Sequence, residues 1–123
     1  MRLLLDTHVL LWWLADDPKL SGQHRELISD GENDVLVSSI SIAEVSVKAS
    51  LGKLDAPQMI SDAVTDSGFE HLPFSEVHAE LLRRLPWHHR DPFDRMLIAQ
   101  AIADGLALLS VDRRIGQYDL EVL

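Results

Sequence analysis

The 123-residue chain contains no cysteine. That excludes disulfides, thiol nucleophiles, iron–sulfur clusters and every thiolate zinc site, and it fits a reducing cytoplasm. Long apolar runs are missing too. The longest, "VLLWWLA" from Val9 to Ala15, is too short to span a bilayer. The opening "MRLLLDTH" has no signal-peptide core, because Asp6 interrupts it. It reads as the natural N-terminus of a soluble, cytoplasmic protein. No G-x-G-x-x-G and no H-E-x-x-H occurs, so neither dinucleotide binding nor a helical zinc protease site is signalled. There is no repeat, linker or low-complexity segment, and the length suits one domain over residues 1–123.

Positive charge is scarce. The chain has 11 Lys and Arg against 20 Asp and Glu, for a net charge of −9. An acidic chain is a poor nonspecific binder of nucleic acid. The balance is uneven, however. Residues 1–82 hold 5 basic and 14 acidic side chains, whereas residues 83–114 hold 6 Arg and 4 Asp. Composition alone makes that arginine-rich segment a solvated surface. Arginine is also the better fork for phosphate.

What is present alternates. "RLLLD" and "DVLVSS" read as short buried strands, "FEHLPF" as a short strand and "LALLS" as a fourth, with "EVL" a final candidate. Between them, helices are expected over Thr7–Ala15 with Thr7 a candidate N-cap, Ser21–Gly31, Ser41–Leu54, Ala56–Gly68, Ser75–Pro86 and Asp91–Gly105. Ser41 and Glu44 have the S-x-x-E spacing of a capping box. Val77, Leu81, Leu82 and Leu85 should share one apolar face of the fifth helix. Such alternation argues for an α/β protein, a three-layer α/β/α domain with a central, mainly parallel sheet.

In an open α/β sheet, ligands bind beyond the carboxyl ends of the strands. Asp6 ends the first strand. Glu44 opens the helix after the second, and Asp112 follows "LALLS". Asp94 lies in the first turn of the helix feeding that strand. That helix should begin at the opposite sheet edge unless the segment from Pro86 to Asp91 carries it back. Each acid has a bland explanation. Asp91 precedes Pro92 and is the natural N-cap. Asp94 then sits where an acid suits the helix dipole. The capping box accounts for Glu44, and a turn accounts for Asp112. Asp6 is hardest to dismiss, because a buried carboxylate without partners is costly. Three or four acids at one sheet edge would repel one another unless a cation sat among them. With oxygen donors and no cysteine, that cation would be hard, Mg²⁺ or Mn²⁺, and its chemistry would be that of phosphate esters.

At these residues the chain resembles a PIN-domain ribonuclease, and more closely the VapC-type toxins of toxin–antitoxin pairs. The stretches that carry the resemblance are "LLLDTHVLLWWL", "SSISIAEVSVKASLGKL", "HRDPFDRMLIAQA" and "LLSVDRRIGQY", which run from end to end. The resemblance implies a parallel sheet with Mg²⁺ or Mn²⁺ held by Asp6, Glu44, Asp94 and Asp112 as the catalytic and metal-binding acids. It also implies hydrolysis of RNA, a cognate small antitoxin and a homodimer. Thr7, Ser110 and Asp91 would support the acids. Arg90, Arg95, Arg113 and Arg114 would steer the phosphate chain.

His8, His88 and His89 lack zinc spacing and read as surface or supporting groups. Of Trp12 and Trp13, at least one should be core and the other an anchor at a partner or oligomer surface. A phosphoacceptor receiver domain would need a second acid beside Asp6 and a lysine at the end of its last strand, but no lysine follows Lys53. A haloacid-dehalogenase-type phosphatase would need D-x-D where this chain has "DTH". The remaining rival is a PIN-like RNA-binding or scaffold module without catalysis.

Overall fold

The apolar runs form the sheet as their patterning predicts. A computed structural model describes residues 1–123. Strands β1 (Arg2–Leu5), β2 (Asp34–Ser38), β3 (Glu70–Leu72) and β4 (Ala107–Leu109) lie in the order β3-β2-β1-β4. Every pairing is parallel. "EVL" adds only an isolated parallel bridge, Val122 to Leu108. Helices α1 (Thr7–Leu14), α2 (Gly22–Ser29), α3 (Ser39–Ser50), α4 (Ile60–Asp66), α5 (Glu76–Leu81) and α6 (Pro92–Asp104) cover the two faces.

Alternation along the strands builds two cores. Leu3, Leu5, Val35, Val37 and Leu109 pack one face with Val9, Leu10, Val45 and Val64. Leu4, Leu36 and Leu108 point the other way, against Leu97, Ile98, Ala101 and Ile115. The result is the three-layer α/β/α domain expected. Leu4 is fully buried, so Leu4→Ala should cost about 2–5 kcal/mol. Trp12 and Trp13 are both half-buried against the first core, and Trp13 lies 5.9 Å from Phe69, ring centre to ring centre. No helix is long and apolar enough to cross a membrane.

Several local expectations give way to stronger physics. Asp6, not Thr7, caps α1. Its Oδ1 accepts from the backbone N–H groups of His8 and Val9 at 2.8 and 3.2 Å. Ser38, not Ser41, caps α3, so Glu44 lies in the second turn and belongs to no capping box. α5 ends at Leu81, and Val77 is exposed while Leu85 is buried. The buried residue of α5 is His78, whose Nε2 meets Asp104 Oδ2 at 3.1 Å.

The position of α6 also corrects our expectation. A helix that feeds a parallel strand runs antiparallel to it, so it starts at the carboxyl edge of the sheet. α6 has 13 residues, about 20 Å at helical rise, enough to cross the sheet. It ends at Gly105, whose φ of 65° reverses the chain, and β4 follows directly. The start of α6 therefore reaches the carboxyl edge without help.

Candidate active site

Strand order places the topological switch point between β1 and β4, since β2 lies on one side of β1 and β4 on the other. Asp6 stands at that point. Its backbone N–H donates to Leu109 at 3.0 Å. Its carboxylate, already capping α1, also accepts the Ser110 hydroxyl on Oδ2 at 2.6 Å. Ser110 Oγ in turn accepts the backbone N–H of Asp112 at 3.1 Å. One buried hydroxyl thus ties the first acid to the loop bearing the fourth. Thr7 is buried as well and donates to Ser41 at 3.0 Å, joining the starts of α1 and α3.

Glu44 is buried on α3. Its Oε2 accepts from Lys48 Nζ at 2.5 Å, one helical turn on. Its Oε1 has no partner. That pair, chiefly through its hydrogen bond, raises the Lys48 pKa. Lys48 was missed in the sequence, although Glu44 and Lys48 have the i,i+4 spacing that pairs side chains on a helix.

Asp91 is the N-cap of α6, with Oδ1 accepting from Phe93 and Asp94 N–H at 2.9 and 3.2 Å and Pro92 in the first turn. Asp94 projects from that first turn, and no hydrogen bond satisfies its carboxylate. Burial, and then the carboxylates of Asp91, Asp6, Glu44 and Asp112, push its pKa up to about 7. Asp112 sits in the turn after β4. Arg114 grips it with Nε and Nη2 at 3.1 and 2.8 Å, and chiefly for that reason the Asp112 carboxyl lies below its usual range. The four acids picked out in the sequence thus share one edge, and each of the others adds to the charge that Asp94 feels.

His89 joins them. It is buried, and its Nε2 lies 3.6 Å from Asp94 Oδ2. One donor atom each from His89, Asp94 and Asp112 falls within 4.8 Å of the others. The neighbouring Tyr118 hydroxyl receives N–H groups from His88, His89 and Arg95 at 3.2, 3.3 and 3.1 Å. Its own hydrogen is left for His89 Nδ1, at 3.2 Å. That assigns the ring proton to Nε2. His89 therefore faces the acids as a donor, which suits a carboxylate or phosphate oxygen better than a metal ion. The sequence reading treated His89 as surface or supporting. Its partner Tyr118 is 29 residues away, beyond any spacing rule.

The arginines divide. Arg90 and Arg113 are exposed and form no ion pair. Arg114 is committed to Asp112. Arg95, expected to steer phosphate, is buried and donates to Pro86 O, Leu85 O and Tyr118 Oη at 2.7, 3.1 and 3.1 Å. It holds the segment from Leu85 to His89 in place.

The donor set fits a hard divalent cation. The donors are carboxylate oxygens, burial and then the neighbouring carboxylates raise the pKa of Asp94, and a buried Glu44 oxygen lacks a partner. A cation would relieve all of this at once.

The chain is similar to known proteins in sequence and in fold. Ribonuclease VapC22 of Mycobacterium tuberculosis is 28% identical over 122 residues, covering 94% of this chain and 90% of that protein. The fold matches VapBC2 from Rickettsia felis, solved with a promoter DNA fragment, at a TM-score of 0.73 and 17% identity over 100% of this chain and 98% of that one. It also matches DNA-bound VapBC from Salmonella typhimurium at a TM-score of 0.68 and 20% identity, covering 100% and 97%. The PIN domain model matches residues 3–121. With that match running almost from end to end, the chain belongs to the PIN domain family.

Proposed function

We propose that this protein is a Mg²⁺- or Mn²⁺-dependent endoribonuclease and the toxin of a toxin–antitoxin pair. The observation that carries the reading is Asp94, a half-buried carboxyl that shares the sheet edge with Asp6, Glu44 and Asp112 and accepts no hydrogen bond, and whose pKa burial and then four neighbouring carboxylates raise to about 7. A fold gains nothing from that arrangement alone. A site that binds a cation does. The likeness to Ribonuclease VapC22 supports RNA as the substrate.

Asp6, Glu44, Asp94 and Asp112 would hold the ion. When bound, it would activate water for attack on phosphorus and offset charge on the leaving oxygen. The chain's own residues do the rest. Ser110 and the α1 N–H groups fix the Asp6 carboxylate in one orientation. Lys48 offsets one charge on Glu44. The Nε2–H of His89 points towards Asp94, where a phosphate oxygen would also find it. Arg90 and Arg113 add positive charge to the rim.

A small antitoxin encoded beside this chain belongs to the same reading, supported by the VapBC neighbours. A homodimer belongs to it as well. The direct test is RNA cleavage by purified protein with Mg²⁺ or Mn²⁺ against EDTA. We expect cleavage with either metal, none in EDTA, and none from Asp94→Asn with metal. RNA binding without cleavage in any metal would instead make the protein a binding module. Co-expression with the neighbouring small reading frame should give a co-purifying complex with suppressed cleavage. Sedimentation of the free toxin should give a dimer.

A further inference from the structure

The most exposed aromatic ring of the molecule stands beside this site. Trp87 is 73% exposed, between the arginine-bearing end of the α5 region and the start of α6. A large apolar ring in water is unfavourable, and a loop indole is free to fold down onto the surface. This one is held out. The Arg95 guanidinium carbon lies 3.6 Å from the ring centre, covering one face. Arg95 cannot follow a moving ring, because Leu85 O, Pro86 O and Tyr118 Oη fix it. One face of the indole therefore rests on a fixed guanidinium, and the ring's exposure leaves the opposite face open.

The surroundings identify what that face accepts. The hollow beside the ring is lined by Leu82, Met96, Pro92 and the three arginines Arg83, Arg90 and Arg95, with no carboxylate among its residues. In a chain of net charge −9, a basic aromatic hollow beside an acidic cluster is set apart by sign. Arg83 and Arg90 are exposed and without ion pairs. Arg90, Pro92 and Arg95 line this hollow and flank Asp91 and Asp94 in sequence, so the hollow and Asp94 share the start of α6.

We infer that the open face of Trp87 is a stacking platform for one unpaired RNA base, with Arg83 and Arg90 pairing the flanking phosphates. Every base has a π-face, and a fixed indole with nearby guanidinium groups takes single strands without reading their sequence. A paired base cannot leave its stack to reach the ring at no cost. This rests on the ribonuclease reading above and deepens it.

The test is binding of a short, end-labelled single-stranded RNA in EDTA, where no cleavage intrudes, with the same sequence in a duplex alongside. Trp87→Ala and Trp87→Leu should weaken single-strand binding by about 5- to 150-fold, while Trp87→Phe keeps most of it. The duplex should bind more weakly to the wild type and respond little to these changes. Tryptophan emission should be quenched by the single strand in the wild type and not in Trp87→Phe. Arg90→Ala should lower the salt dependence by about one phosphate contact. Melting temperatures identify any variant that has lost its fold, and Trp87→Phe and the wild-type quench stand without Trp87→Ala. Equal affinity of Trp87→Ala and wild type would overturn the assignment. So would no binding by the wild type, equal losses for duplex and single strand, or a change confined to antitoxin binding or dimerisation. Metal-dependent cleavage by the wild type is measured in parallel. If cleavage occurs and Trp87 is silent, the platform fails alone; if the wild type cleaves nothing, the nuclease reading fails alone.

Discussion

Asp6 and Asp94 are two carboxylates of one cluster, and they are held in opposite ways. Asp6 accepts three hydrogen bonds, two from the first turn of α1 and one from Ser110. Asp94 accepts none and sits in the combined field of the other acids. The fold fixes the first carboxylate in one orientation by these three hydrogen bonds. It leaves the second unsatisfied. The first acid is preorganised by the scaffold, and the second sits half-buried amid like charges that a bound cation would offset.

The largest expected effect is on activity. Asp94→Asn and Asp6→Asn should each reduce metal-dependent RNA cleavage by more than about 100-fold, beyond the loss typical of residues that only support a metal ligand. Circular dichroism should show both folded. Full activity of either variant would break the comparison, because the two acids would then not share one task.

Stability against pH separates them next. Asp94 has its pKa raised from 3.8 to about 7, so between those values the folded state binds a proton that the unfolded state does not. Stability of the metal-free protein must then fall as pH rises through that window. The effect is at most roughly 4 kcal/mol, and less because the side chain is partly solvated. Asp112, whose pKa is lowered, loses its contribution only at more acidic pH. Melting in EDTA should therefore be higher near pH 5 than near pH 8, Asp94→Asn should flatten the slope, and Mg²⁺ should stabilise most at pH 8. An unchanged slope in Asp94→Asn would mean that the repulsion sits elsewhere.

Ser110→Ala should cost about 1–2 kcal/mol, because it strips a hydrogen bond from a buried carboxylate. It should also slow cleavage by about 10-fold as Asp6 loses its orientation. Thermal melts and initial rates measure both. Asp91→Asn should change stability by a few tenths of a kcal/mol and leave most of the cleavage rate, since Asn caps as well as Asp. A loss as large as that of Asp94→Asn would place Asp91 among the ligands.

The sheet, its order of elements and the shared edge of Asp6, Glu44, Asp94 and Asp112 were legible in the sequence. Short apolar runs, Asp91-Pro92 and Gly105 are local signals, and an α/β sheet presents its strand ends at one edge. What escaped were contacts between distant residues. Arg95 reads as surface by its charge, yet it lies three and four residues before the buried Ile98 and Ala99, on the same helical face. Its burial depends on Tyr118, 23 residues on. His89 becomes a site residue through the same hydroxyl. The capping-box alternative for Glu44 fails because Ser38, one residue before the helix, takes the cap from Ser41. The edge at which α6 begins needed no special loop, only the antiparallel run of a crossover helix.

The central claim is that these acids bind a divalent cation at the switch point. Crystals of the wild-type protein grown with Mn²⁺, measured for anomalous scattering, test it most directly. The account predicts a peak among Asp6, Glu44, Asp94 and Asp112 that is absent in Asp94→Asn crystals grown alike. No peak there, or a peak that persists in Asp94→Asn, would contradict it.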